Sequence, residues 1–499
     1  MIENLVLGFS ISFSLHNVLY CLIGTVLGTI VGILPGLGPG GTIAILLPLT
    51  LKLDVTSAII MLSGIYYGVA YGGTLTSVLM NIPGEVCTVV TCIDGYQMAR
   101  KGRAGAALGI AAFGSFVAST VGIIGITIVA PPLASLALSF APPEYTALMI
   151  AGLSLVTYLS SKSFVKSLTM AVLGLIFGCI GMDPVTGTER FTFGTLTLLD
   201  GINIAPLAMG MYGIGEVLSM AEEEEPTVFM KTSFKIRNLM PTKQDWKDSA
   251  GPIGRGTVLG FFLGLLPGGG AVLASFLSYA LEKRLSKHPE KFGTGIIEGV
   301  AGPESANNSG TAAAFIPLLT LGLPFNVVTA LILVAFMVHG VTPGPFILAK
   351  NPDVFWGVVT SMYLGNVMLL ILNIPLIGIF VNILRIRYAI LSPLIALVCF
   401  VGAFSQSYNA MDVLLMVLFG FVGYFMRKFD FDPAPVMLAY VLGPMLERAL
   451  RQSLILSSGS PMIFLRRPIS AMLLAVTLLT LVMPLFKRAY VAMAKKTAN

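Results

Sequence analysis

The chain has 499 residues, of which 56% are hydrophobic and only 11% charged, with a mean hydropathy of +0.89. A soluble domain carries about 25% charged residues, so the composition excludes a soluble enzyme or binding module. It predicts an all-α polytopic membrane protein with room for about 10–12 transmembrane spans or half-spans. The net charge of +6 sits at the ends of apolar runs, as cytoplasmic anchors do. No nucleic acid partner is expected, and membrane lipid is. The cysteines at 21, 87, 92, 179 and 399 are scattered and read as free packing residues.

The N-terminus, Met1 to Asn4, has no basic region, and Lys52 is the first Lys or Arg. No cleavable signal peptide is expected, so the first helix itself should insert. The segment Gly24 to Gly38 then recurs at Gly256 to Gly270, at a constant offset (256 − 24 = 232), with 10 of 15 positions identical. In both copies an apolar helix pattern runs into a Leu-Pro-Gly break at membrane depth. Backbone broken inside a bilayer is tolerated where it is buried in protein or lines a cavity. Paired breaks in the halves of a repeat point to a transporter's binding site.

A second landmark follows each break. Tyr71 to Thr74 precedes Asn81 to Gly84, and Asn307 to Thr311 precedes Leu321 to Pro324. The Gly-Thr pairs align at an offset of 237 (311 − 74) and the prolines at 241 (324 − 83). The expected organisation is a first membrane half over 1–220, a polar cytoplasmic linker over 221–251, and a second half with C-terminal scaffold helices over 252–499. Broken or re-entrant helices are expected in both repeats, and an inverted pair is the common arrangement where sites form from them. The apolar stretch from Ala104 to Phe140 has a Pro131-Pro132 break. The runs from Phe355, Tyr388, Ala410, Ala434 and Ser470 read as ordinary scaffold helices. The last basic group, Lys487 to Lys496, suggests a cytoplasmic C-terminus.

The candidate substrate residues are Gly36, Gly38, Gly40, Gly41 and Thr42 in the first half and Gly268, Gly269 and Gly270 in the second. Glycine lets backbone approach a ligand closely, and a helix restarting after a break offers free N–H groups to an anion. A glycine-rich packing seam is the alternative for one motif alone; the pairing favours a site. Thr74, Asn307, Asn308, Ser309 and Thr311 add amides and hydroxyls that can bind a carboxylate or supply oxygens to a cation. Carbonyls freed at Pro35 and Pro267, with Asn81 and Glu304, are the candidate cation ligands. Glu304 reads equally well as an ion ligand and as a helix N-terminal charge.

Asp94 reads as structural, Arg255 as an anchor, His339 as a packing or hinge residue, and Glu216 as interfacial. No Lys or Arg lies deep in an apolar segment near either break. An anionic substrate would therefore be met by helix ends, amides, hydroxyls and bound cations, which fits Na⁺ coupling. No other metal or cofactor is expected. A channel would need a selectivity ring, and an enzyme a nucleophile–base pair or metal ligands. The three histidines, His16, His288 and His339, lie in unrelated places, so the chain is not expected to be an enzyme.

Several stretches carry a specific likeness: Gly32 to Pro39, Ile65 to Gly68, Tyr71 to Thr74, Asn81 to Glu85, Thr91 to Tyr96, Leu266 to Gly270, and above all Gly299 to Asn308. With them the chain closely resembles the large membrane subunit of the tripartite tricarboxylate transporters over nearly its whole length. The resemblance implies a bacterial inner-membrane permease of the TctA type. It implies a small TctB-type membrane subunit and a periplasmic TctC-type binding protein that delivers citrate or another carboxylate. It also implies cation-driven uptake, with Na⁺ and without ATP, and substrate held at the two motif regions. Two positions depart from the family pattern. Phe325 replaces a permissive glycine and bears on substrate choice, and Gln97 replaces a proline.

Overall fold

Glycine spacing sets the first helix pair. Helix α1 (Leu15–Ile33) and helix α2 (Val55–Met80) cross where Gly24, Gly28 and Gly32 recur every fourth residue. A Cβ on any of them would stand within 2.5 Å of the carbonyl oxygens of Met61, Ile65 and Val69, respectively. Only glycine permits that approach, the usual device for joining helices that share no hydrophobic drive in lipid. The structure, a computed structural model, describes residues 2–34, 38–159, 163–183, 186–222, 239–268, 270–383, 388–475 and 477–479. Expected features at Pro35, Gly36, Gly269, Lys231 and Lys487 to Lys496 lie outside the described residues.

After the first break, helix α3 (Gly38–Thr50) restarts, and α2 follows it in sequence. At about 1.5 Å per residue α3 is roughly 20 Å long, short of the ~30 Å hydrocarbon core. The turn after α2 leads into helix α4 (Val89–Arg100) and then helix α5 (Ala104–Ala137). Pro131 and Pro132 do not break α5, which continues through them to Ala137, although each lacks the N–H of a regular helical bond.

The second half repeats this series. Helix α6 (Lys243–Gly264) ends at the second Leu-Pro-Gly, and helix α7 (Gly270–Leu285) restarts at the residue equivalent to Gly38. Helix α8 (Glu298–Ala313) continues through helix α9 (Phe315–Leu321), and helix α10 (Val327–Val338) follows the turn. Gly256, Gly260 and Gly264 on α6 meet the carbonyls of Gly302, Ala306 and Gly310. The crossing of α1 on α2 is thus rebuilt. Helix α6 runs straight across residue 252, where the second half was expected to begin; its polar first turns carry the Thr242 cap, whose hydroxyl accepts from Asp245 N.

These crossings fix the register of the repeat. The carbonyls met by equivalent glycines are 241 residues apart (302 − 61, 306 − 65, 310 − 69). The same offset relates the left-handed C-caps Asn81 (φ 60°) and Gly322 (φ 69°). The sequence pairing of Thr74 with Thr311 at 237 is therefore four residues out. The error has a helical cause: a shift of four keeps a residue on the same face of an α-helix.

Contacts along the helices give their relative directions. Thr56 lies against Gly357, Tyr67 against Gly365, and Tyr71 donates to Asn366 Oδ1, so α2 runs parallel to helix α11 (Pro352–Asn373). Ser305 lies against Gly114, Asn308 donates to Ser115, and Ala312 lies against Gly122, so α8 runs parallel to α5. Helices α5 and α11 are antiparallel: Thr127 meets Tyr363, Asn366 donates to Phe116 O and Thr120, and Asn373 shares a small cavity with Leu108. The equivalent helices α2 and α8 therefore run in opposite directions.

Among the described residues five helices are long and apolar enough to cross a membrane: α1, α2, α5, α11 and helix α12 (Ala410–Lys428). Shorter apolar helices accompany them, and the protein is an all-α multi-pass membrane protein. The scaffold beside α3 contains a π-turn (Met209–Ile214) and helix α13 (Ala434–Leu456). A two-stranded ribbon pairs Gly181 with Arg190 and Met182 with Glu189. It is tied to α13 by Arg190–Glu447 and Arg451–Asp183 ion pairs.

Candidate functional site

The chain breaks of both halves meet at one cavity of about 700 Å³, within the range that holds a small ligand. Gly38 to Gly41 at the start of α3 and Gly268 with Ala271 around the start of α7 line it. So do Gly84 to Cys87 after α2 and Asn326 to Val328 at the start of α10. Helices α3, α7 and α10 thus begin at this cavity, and first-turn N–H groups and the positive dipole end belong to a helix start. The first break bends at Gly38 (φ 57°) and the second at Gly268 (φ 97°), where a residue with a Cβ would be strained.

Side chains exchanged between the halves hold the cavity walls. Asn326 donates to Tyr66 Oη at 3.2 Å, and Asn307 donates to Glu85 Oε1 at 3.2 Å. Tyr66 and Asn307 are equivalent positions, and so are Glu85 and Asn326, both at the 241 offset (307 − 66, 326 − 85). The two hydrogen bonds are therefore one contact made twice, each half's helix holding the other half's turn.

Of the sequence-selected residues, Gly38, Gly40, Gly41, Gly268 and Thr311 line the cavity. Thr42 turns its hydroxyl back to Gly38 O at 2.7 Å. Gly270 packs against Leu263. Asn307 stands one residue behind the wall, holding Glu85. Asn308 and Ser309 face α5 instead, beside Ser115 and Gly122; Asn308 Oδ1 and the Ser309 hydroxyl have no hydrogen-bond partner among the described residues. Asn81 is an exposed C-cap of α2, and Pro267 is half-buried at the second break.

Glu304 is 1% exposed, which removes it from the protein surface. Its carboxylate accepts from Thr74 Oγ1 at 2.9 Å and from Thr91 Oγ1. Glu304 belongs to the second half, and both threonines belong to the first. No Lys or Arg pairs with it among the described residues, and a buried carboxylate needs a proton, a cation or a strong donor set. Asp94 accepts from the backbone of Gly293, Gly295 and Ile296 and from Tyr279 Oη, so it caps a turn of the opposite half. Arg255 pairs with Glu282. His339 bonds the carbonyls of Ala335 and Thr50.

One wall comes from residues that the sequence did not single out as candidates. Tyr212, from the π-turn, and Arg427 and Asp432, around the end of α12, all line the cavity. Arg427 Nη1 donates to Glu216. No Lys or Arg lies deep in an apolar segment near either break in sequence, yet Arg427 lines the cavity from a distant helix. Glu85 is a site residue that the sequence did not single out; its equivalence to Asn326 in the repeat (326 − 85 = 241) is the signal that marks it.

Comparison with known proteins agrees with this architecture. The sequence matches the tripartite tricarboxylate transporter TctA family over residues 18–438. An Agrobacterium vitis protein described as "Uncharacterized 52.8 kDa protein in TAR-I ttuC' 3'region" is 49% identical over 486 residues, 97% of this chain and 96% of the relative. A shorter one, "Uncharacterized protein in TAR-II ttuC' 3'region", from the same organism, is 49% identical over 226 residues, 45% of this chain and 93% of the relative. No solved structure matches. The chain belongs to the tripartite tricarboxylate transporter TctA family.

Proposed function

We propose that this protein is the large permease subunit of a binding-protein-dependent, secondary-active uptake system for a small carboxylate, citrate or a related one, coupled to Na⁺. The observation that carries the proposal is the convergence of the breaks of two antiparallel repeats on one cavity. Such breaks at the interface of repeats are where transporters hold substrate and coupling ion. The helix amino ends of α3, α7 and α10 favour an anion there. Glu304, with the Thr74 and Thr91 hydroxyls, supplies hard oxygen ligands for a cation, and Glu85 stands nearby as a second carboxylate. A cation bound at Glu304 would join the two halves, so its loading would bias their relative position in alternating access. Movement of one part of the repeat against the other in an elevator-like fashion is consistent with this.

The partners are a TctB-type small membrane subunit and a TctC-type periplasmic binding protein, and the location is the bacterial inner membrane. Orientation follows from the basic residues. Arg100, Lys101, Arg103, Lys243 and Lys291 gather where α4 ends and α6 begins, as the Arg103–Asp245 pair and the Lys101–Thr294 bond attest. The opposite ends, where α3 stops and α11 starts, carry Lys52 and Lys350. The first group marks the cytoplasmic face.

The test is uptake by the three-component complex in liposomes with and without an inward Na⁺ gradient. Na⁺-dependent, binding-protein-dependent uptake of a carboxylate is expected. Uptake driven only by a proton gradient would keep the carrier and assign a proton to Glu304. Non-saturating flux without any gradient would replace the carrier with a channel.

A further inference from the structure

Resting on the permease reading, we propose that Arg427 and Tyr212 form a carboxylate clamp on the scaffold wall. The clamp makes the site select substrates with two or more carboxylates. Arg427 would be the fixed cation of a cavity that otherwise meets anions with backbone alone. Its side chain is 25% exposed, and its Nη1 is taken by Glu216. A guanidinium has five N–H donors in a planar fork, so donors remain for a ligand after one such pair is made. Glu216 then serves to aim the fork, as a positioning residue.

Tyr212 supplies the second donor. Its hydroxyl is buried and has no hydrogen-bond partner among the described residues, though a buried hydroxyl ordinarily finds one. It sits on the π-turn, a rare local geometry that recurs at functional sites. The turn places Tyr212 Cβ only 3.4 Å from the point where a Cβ on Gly41 would stand. The amino end of α3, Tyr212 and Arg427 therefore bound one side of the cavity. The amino ends of α7 and α10, at Ala271, Val327 and Val328, bound another. A carboxylate on each side satisfies both, and a monocarboxylate leaves one set of donors unpaired.

The experiment measures uptake of radiolabelled citrate, succinate and acetate by the assembled complex in proteoliposomes. The decisive variant is the double Arg427→Gln/Glu216→Gln, which removes both charges of the pair together. We expect it to accumulate like wild type and to raise KM for the di- or tricarboxylate about tenfold or more, the scale of a charge-assisted hydrogen bond. Its preference over acetate should fall by the same factor, with Vmax changed far less. Tyr212→Phe should raise KM by a few-fold at unchanged thermal stability. Arg427→Lys, which keeps charge and loses the fork, should fall between. Unchanged KM and selectivity in the double variant would overturn the clamp while wild-type uptake leaves the permease reading standing. Glu216→Gln, which keeps the guanidinium but loses its aim, should raise KM by less than the double; an unchanged KM would overturn the positioning role. Absence of carboxylate uptake by the wild-type complex removes both readings, so the two failures are told apart in the first lane.

Discussion

The turn after α2 and the turn before α10 have one backbone and two chemistries. Both begin with a left-handed cap, Asn81 or Gly322, and pass through a proline, Pro83 or Pro324. Both end where a threonine hydroxyl accepts from a backbone N–H three residues earlier, Thr88 from Glu85 and Thr329 from Asn326. At the residue before that N–H the first turn has Gly84 and the second Phe325. A Cβ on Gly84 would stand 2.4 Å from Gly32 O and Gly73 Cα, whereas Phe325 is accommodated, and its carbonyl receives Gly268 N at 2.9 Å. The side chains then part: Glu85 accepts from Asn307, while Asn326 caps Thr329 N with its oxygen and spends its amide on Tyr66. Duplicated geometry sets where a ligand can approach; divergent side chains set its charge.

The broadest way to break the comparison is to disturb the geometry common to both halves. Gly260→Val puts a Cβ where 2.1 Å separates it from Ala306 O, and Gly28→Val does the same at 2.5 Å from Ile65 O. Both variants should fail to yield a monodisperse detergent-extracted protein, and a normal size-exclusion profile for either would refute the crossing. Next in size is Glu304→Gln. It keeps volume and the threonine contacts but removes the charge. Uptake at fixed Na⁺ should fall by about a hundredfold, in line with loss of a buried charge interaction, with Na⁺ dependence flattened; a full Na⁺ dependence would refute its role.

A sharper probe makes the first turn resemble the second. Glu85→Asn keeps a good cap residue and removes the carboxylate. We expect apparent Na⁺ affinity to drop by about tenfold, as for one charged ligand, with little change in melting temperature. The smallest effect lies outside the repeat contacts, at the polar start of α6. Thr242→Ala should cost about 1 kcal/mol, the usual worth of a helix cap. Burial alone would raise the Asp245 carboxyl, but hydrogen bonds from Thr242 and the Arg103 ion pair outweigh it and hold it below the usual carboxylate range. A depressed carboxyl stabilises the fold above its ordinary titration range and loses that contribution as pH falls through the folded value. Wild type should therefore lose melting temperature on acidification, and the Thr242→Ala difference should shrink with it.

Glycine and proline made the breaks legible, because backbone that turns or touches backbone restricts residue type directly. The two Leu-Pro-Gly copies therefore located the cavity's backbone. The polar stretch from Glu304 to Thr311 was legible as important and illegible as to direction. At about 3.6 residues per turn, Asn307 and Thr311 fall on the cavity side, and Asn308 falls on the α5 side. A helix pattern without its neighbours does not tell these faces apart. Arg427 escaped for another reason: a cation at the end of an apolar helix has the same local sequence whether it meets lipid headgroups or a cavity. Tyr212 depends on a π-turn, which leaves no periodic trace in sequence.

The reciprocal bonds Tyr66–Asn326 and Asn307–Glu85 make each half the custodian of the other's turn. That is the contact logic of an isologous dimer, in which residue i meets j and j meets i, written here within a single polypeptide and with unequal subunits. In such an arrangement the linker's task is to supply effective concentration, and the geometry resides in the mutual grip. A chain severed within 223–238 and produced as two co-expressed pieces would carry both reciprocal bonds and all the described residues that line the cavity.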